Sequence, residues 1–385
     1  MRFSAKVLWQ LTIAFGMMAA LIGLGLRYYF VSPLPFNFQY VLHAHSHLML
    51  LGWLFNALLL LIYQQWNIEM PNIEKWLFLG LAFCVLGMLL SFPFQGYALF
   101  SITFSTLHLW LSYVLLVKIW KYAKGRGLAG KLVKAGIVFF FISTIGPYSL
   151  GPMMANDMHD SPWYTQAIFF YLHFQYNGAF FFFMLAFIVE KSLKPNAHLS
   201  SVVFLWLMTL GAVLTWFHTL DFSFNHILIN IAGGLGSALQ LAAGWLLFKN
   251  IATNKFRGFS LLLLAMLGAK LIFQLFGSFP AVADAAVQNR FYLIAWLHFI
   301  FLGIFTPFIW ENLKIHIGGY PRLMLFYWMF FFATEAVLVV PSLYQVAGFT
   351  YWPAITFCLY SGFVVVWLVL GTRAIISLKA LQTKV

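Results

Sequence analysis

The chain has 385 residues, of which 63% are hydrophobic and only 8% charged. So few charges exclude a soluble globular domain, and apolar runs of about 20 residues, the length that crosses a bilayer as a helix, recur from end to end. A transmembrane β-barrel is excluded as well, because its strands alternate in segments of about 10 residues. The formal net charge is +13, but the cations gather in loops on one side of the expected membrane. Lipid is therefore an expected partner and nucleic acid is not. Cys84 and Cys358 each lie inside an apolar run, so no disulfide framework is expected.

Taken in order, the apolar runs predict twelve membrane helices, near 7–30, 39–64, 75–93, 97–120, 135–154, 163–190, 201–220, 225–248, 259–277, 289–310, 323–345 and 352–376. The first is too long for a removed signal peptide and lacks its small-residue cleavage pattern. Basic residues set the orientation. Arg2 and Lys6 precede the first span, and six cations from Lys118 to Lys134 surround the turn between the fourth and fifth. Lys191 and Lys194, Lys249 to Arg257, Lys314 and Arg322, and Arg373 to Lys384 follow the sixth, eighth, tenth and twelfth. With twelve spans all of these fall on one side, the cytoplasmic one, together with both termini. Asp157, Asp160, Asp221 and Asp284 fall on the other. The expected location is a bacterial inner membrane. No linker or internal repeat is visible, so residues 1–385 are expected to form one transmembrane domain, and an inverted-repeat transporter is disfavoured.

The second span opens with three alternate histidines, in HAHSHLMLLGWLFNAL from His43 to Leu58. An ionisable ring in hydrocarbon is costly unless the protein uses it. At about 100° per residue, His43 and His47 share one helix face while His45 points away from it. In the expected topology these three share an outer level with His173 in span six, His218 and His226 at the junction of spans seven and eight, and His298 in span ten. Such convergence points to a metal or haem centre. His159, His198 and His316 fall in loops and read as solvated, whereas His108 could be core or ligand. Neutral imidazole suits haem iron and copper alike. With no C-x-x-C-H run the haem would be a non-covalent b-type, and the outer halves of the spans lack the carboxylates of a di-iron site.

With these residues in place, the chain resembles subunit I of the haem–copper oxidase superfamily, nitric oxide reductases included, and the shorter haem- and copper-containing proteins of the nitric-oxide stress response. That family holds a low-spin haem between histidines of its second and tenth helices. Here His45, followed by Met49, Gly52 and the Asn56-Ala57-Leu58 run, matches the first ligand. His298, with Gly303 five residues on, matches the second. His47 also precedes a glycine by five residues and competes with His45. The family's copper takes one histidine from the sixth helix and an adjacent pair from the seventh. The resemblance assigns His173, in YLHFQYNGAF, and His218, in TWFHTL, with His43 or His47 completing a modified site. Trp296 stands where the high-spin haem ligand would be, and an indole N–H cannot ligate iron.

The resemblance implies an all-α bundle with at least one haem b, with copper a further option, and redox or diatomic-gas chemistry with nitric oxide ahead of oxygen. A quinol or a separate cytochrome would donate electrons. An active oxidase or reductase with unusual ligands, or a carrier or assembly factor for haem or copper, are the other readings. Arg27 and Arg290, at outer helix ends, suit haem propionates or interfacial anchoring. Lys270 and Glu335 lie in spans nine and eleven; an ion pair, a proton relay or separate hydrogen-bonded burial are all open. Tyr171, Gln175, Tyr176 and Asn177 are candidate supports for His173.

Overall fold

The computed structural model describes residues 5–158, 160–220, 226–314, 317–344 and 353–380. Among the described residues twelve helices are long and apolar enough to cross a membrane. They are α1 (Ala5–Tyr28), α2 (Phe38–Gln65), α3 (Asn72–Gln95), α4 (Leu99–Tyr122), α5 (Gly127–Ala155), α6 (Pro162–Ser192), α7 (Ser201–Thr219), α8 (Ile227–Asn250), α9 (Phe259–Phe276), α10 (Arg290–Leu313), α11 (Tyr320–Val340) and α12 (Pro353–Leu378). There is no strand among the described residues, only an isolated bridge between Leu193 and Ile251. The chain is an all-α, multi-pass membrane protein. Arg2, His159, Asp221, His316 and Lys384 lie outside the described residues.

The expected spans agree with these helices except at α5, which begins at Gly127 rather than near 135. Hydropathy fails there because the first turns carry Lys131 and Lys134, although the backbone is already helical. The tight reversal before it uses Gly125 and Gly127 at φ of +80° and +52°, a region where a side chain would clash. The helix then breaks at Thr144, between Gly127–Ser143 and Ile145–Ala155. Pro147 accounts for the break: it has no N–H to give the Ser143 carbonyl and its ring crowds that oxygen.

The chain packs into two compact units, one of residues 1–115 and 294–385, the other of residues 116–293. In the first, α1 and α3 pack on α2, and α12 packs on α1 and α11. In the second, α5 lies on α6, and α8 on α7 and α9. The most buried helix of the first unit is α2 and that of the second is α6, with 89% and 94% of their most apolar windows inside the protein. In a bilayer the polar side chains of these two helices, His43, His45, His47 and Asn56 on α2 and Gln166, His173, Gln175 and Asn177 on α6, favour the protein interior over lipid. Phe180 to Phe183 are buried at 0–3% exposure. The first unit is centred on Trp53, Trp310 and Trp367, whose rings lie 5.1–5.2 Å apart.

Candidate functional site

In the first unit, α2 starts at Asn37, whose side chain accepts from the amides of Gln39 and Tyr40. That cap fixes where the helix begins, and so the direction in which each of its histidines points. His45 turns towards α1 and its Nδ1 lies 2.9 Å from the Ala19 carbonyl. A carbonyl only accepts, so Nδ1 carries the proton and Nε2 keeps its lone pair. The ring rests against Gly23, where an added Cβ would come within 2.8 Å of Cε1. His45 is within electrostatic range of His298 and Arg27, so α1, α2 and α10 bring these three together.

His298 is held by two helices further along the chain. Its Nδ1 is 3.1 Å from Oε1 of Glu335 on α11 and 3.0 Å from the hydroxyl of Tyr360 on α12. That hydroxyl also reaches Glu335 Oε1 at 3.4 Å and accepts from Arg27 Nη2 at 3.4 Å. The Arg27 guanidinium sits 4.6 Å above the Tyr360 ring. In one proton arrangement no donor faces a donor: Arg27 donates to Tyr360, while Tyr360 and His298 Nδ1 both donate to Glu335 Oε1, and Oε2 stays unpartnered among the described residues. A bare ring nitrogen facing a carboxylate oxygen would be repelled. His298 therefore also has its proton on Nδ1 and its lone pair on Nε2. In neither His45 nor His298 does Nε2 have a hydrogen-bond partner among the described residues.

The remaining histidines of the first unit form a different group. His47 Nδ1 donates to the His43 carbonyl at 2.9 Å, and its ring stacks on Phe92 at 4.5 Å. The His43 ring meets Tyr97 edge-on at 4.7 Å. His47 is within electrostatic range of His43 and of His108 on α4. His108 is fully buried against Phe55, with Nδ1 3.4 Å from Ser112 Oγ and Nε2 unpartnered. Between the two candidates on α2, it is His45 whose surroundings include His298.

In the second unit His173 has both ring nitrogens engaged. Nε2 donates to the Ala212 carbonyl at 2.9 Å, and Nδ1 accepts from Asn177 Nδ2 at 3.3 Å. In this arrangement it has no lone pair to offer a metal. Of the expected supports, Asn177 touches it, Tyr176 presents a ring edge 6.4 Å away, and both amide atoms of Gln175 are unpartnered. His218 pairs through Nε2 with Ser237 Oγ at 2.9 Å. His226 caps α8 by accepting from the Leu228 amide at 3.3 Å, and His198 is exposed. Arg290 is exposed at the start of α10. Lys270 and Glu335 each bond within their own unit, to Gln274 and to His298. Among the described residues no three His, Cys, Asp or Glu side chains form a metal-holding group.

Three of these helices share a backbone feature. After His47, His173 and close behind His298, the hydrogen-bond ladder of α2, α6 and α10 widens into π-helix over Leu48–Phe55, Phe174–Phe180 and Phe301–Phe305. A π segment inserts one residue per turn and re-aims the side chains beyond it, and it is frequent at functional sites. Glu335, Tyr360 and Gly23 are the site residues that sequence reasoning left unassigned. No family model matches the chain, and no curated protein matches its sequence.

Proposed function

We propose that the chain is a b-type haem protein of a bacterial inner membrane, with both termini on the cytoplasmic side, in which His45 and His298 hold one iron and the task is electron transfer. The supporting observation is the matched state of the two rings. Each has Nδ1 tied to an oxygen, so each directs a free Nε2 lone pair away from its own anchor, the state in which imidazole ligates a metal. Glu335 adds to this by making His298 a more basic ligand. Arg27 is placed to neutralise a carboxylate such as a haem propionate, in the fork geometry that suits it. Trp53, Trp310 and Trp367 form a fully buried aromatic cluster in the same unit.

A haem held by two imidazoles supplies one-electron transfer and leaves no open position for a gas. Gas reduction would need a second centre, and its expected residues give less support: Trp296 cannot ligate, and His173 is bonded at both nitrogens. Redox transfer, with a quinol or separate cytochrome as donor, is thus the reading the geometry favours over nitric oxide or oxygen reduction.

The test is the reduced and oxidised optical spectrum, with EPR, of full-length protein purified from haem-replete cells. A low-spin, bis-imidazole b-type haem at one per chain is expected, with its loss in both His45→Ala and His298→Ala. Folded protein without haem, or an unchanged low-spin spectrum in either variant, overturns the proposal.

A further inference from the structure

We infer that Lys270, Gln274 and Gln240 form a binding site for a small monovalent anion inside the second unit. All three belong to that unit, and the inference is independent of the haem reading, which uses the first unit alone. Lys270 lies past the middle of α9 and is 2% exposed. An ammonium in such a place is costly and rarely left unpaired, and no carboxylate pairs with it among the described residues. Among the described residues its one hydrogen bond runs from Nζ to Gln274 Oε1 at 2.7 Å. The Phe181 ring, 4.4 Å from Nζ, attracts the charge through its face but accepts no proton in a conventional hydrogen bond.

The amides extend this excess of donors. An ammonium has three N–H groups and no acceptor, so Gln274 must turn its oxygen to Lys270 and its nitrogen away. That nitrogen donates to Gln240 Oε1 at 2.8 Å, which leaves the Gln240 amide nitrogen at the end of the chain. It is buried with no partner among the described residues, in a side chain of 0% exposure. Reversing either amide would set donor against donor. Gly211 fixes the last link, because a Cβ there would come within 2.5 Å of Gln240 Cγ.

The described surroundings supply no negative charge. His173 and His218 are the titratable groups within electrostatic range of Lys270. His173 gives its Nε2 proton to Ala212, and Ser237, which pairs with His218, itself donates to the carbonyls of Gly233 and Gln274 at 3.0 and 3.3 Å. One positive charge, spare ammonium protons and an orphan amide N–H are therefore gathered without an anion among the described residues, and the one neutral acceptor left open in the Ser237 network is His218 Nδ1. A bound cation is excluded by sign. A chloride-sized anion within the relay would neutralise the ammonium and accept from an unused donor.

The test uses full-length protein in detergent at constant ionic strength, with sodium gluconate replaced stepwise by sodium chloride. Heat unfolding is followed by tryptophan fluorescence, and the chloride NMR line width is read on the same samples. A saturable rise in the unfolding midpoint and a broadened line, reversed by bromide, are expected for the native chain. Lys270→Met should abolish both, and Gln240→Leu should weaken apparent chloride affinity by about tenfold, the worth of one charge-assisted hydrogen bond. His198→Ala, at an exposed loop position, should keep both responses. Equal midpoints in chloride and gluconate with an unbroadened line overturn the inference, as does a full chloride response in Gln240→Leu, a variant that retains the lysine should Lys270→Met fail to fold.

Discussion

The ring of His45 occupies the space that a side chain on Gly23 would fill: a Cβ there would stand 2.8 Å from Cε1 and 3.3 Å from Nδ1. Gly23 is thus a positioning residue, and its lack of a side chain is what lets α2 present its histidine against α1. Gly23→Ala must push the ring outward or weaken its 2.9 Å bond to Ala19. The helix itself would gain slightly, since alanine is the better helix former by about 1 kcal/mol. The expected variant is therefore well folded but binds haem about 10- to 100-fold more weakly, as loss of a ligand's support does. Haem titration of the apoprotein, beside its circular dichroism, separates this from simple unfolding.

Glu335 and Tyr360 share the Nδ1 side of His298, but only the glutamate can withdraw its proton. Glu335→Gln keeps an oxygen in place while removing the stronger acceptor, so His298 becomes a less basic ligand. Weaker donation favours the ferrous state, and the haem midpoint potential should rise, by about 60 mV for each tenfold change in relative stability of the two states. Tyr360→Phe removes a donor from the carboxylate, leaves Glu335 to the imidazole and should shift the potential the other way. Potentiometric titration of the optical spectrum reads both signs. Equal potentials in the two variants would remove the assigned proton arrangement.

His45 and His47 are distinguishable by experiment because their surroundings differ so sharply. His47 bonds to the carbonyl of its own helix and lies on Phe92, whereas His45 shares its surroundings with His298 and Arg27. His45→Ala should remove the low-spin haem spectrum, and His47→Ala should leave its band positions unchanged. His173→Ala should leave them unchanged as well. The measurement is the reduced-minus-oxidised spectrum of each purified variant, normalised to protein.

The spans were legible because a bilayer demands the same thing of each of them, a run of apolar residues long enough to cross. The histidines of α2 stood out for the complementary reason, as polar rings inside such a run. Their sorting was not legible. His43, His45 and His47 are separated by helix rotation alone in the sequence, and only the three-dimensional arrangement shows which of them lies within electrostatic range of His298. Glu335 was visible as an intramembrane carboxylate whose partner could have been Lys270, and His298 was not legible as that partner because the register between α10 and α11 comes from side-chain interdigitation. Tyr360 is one of 17 tyrosines and Gly23 one of 28 glycines, with nothing local to mark them. The π segments have no residue code of their own. The resemblance placed His173 as a metal ligand by its helix, but it could not show that Ala212 and Asn177 take both of its nitrogens.

The core beneath the site makes a prediction of its own. Trp53 Nε1 donates to Thr306 Oγ1 at 3.1 Å, with both residues at 0% exposure. The neighbouring indoles of Trp310 and Trp367 are buried with their N–H groups unpartnered. Thr306→Val preserves the shape and removes the acceptor, leaving a third buried N–H in the same cluster. In water-soluble proteins an orphaned donor costs about 1–3 kcal/mol, but interhelical hydrogen bonds inside membranes average about 0.6 kcal/mol because the unfolded helices also find partners. Thr306 comes directly after the π segment of α10, where the backbone is fixed by packing, so relaxation towards another acceptor is restricted. The loss should therefore exceed the membrane average and approach the lower soluble value, about 1 kcal/mol. Thr306→Ser, which keeps the hydroxyl and loses a methyl group, should fall between the native chain and Thr306→Val. Reversible unfolding in mixed micelles measures the difference. A Thr306→Val variant as stable as the native chain would show that this hydrogen bond does not hold α2 to α10.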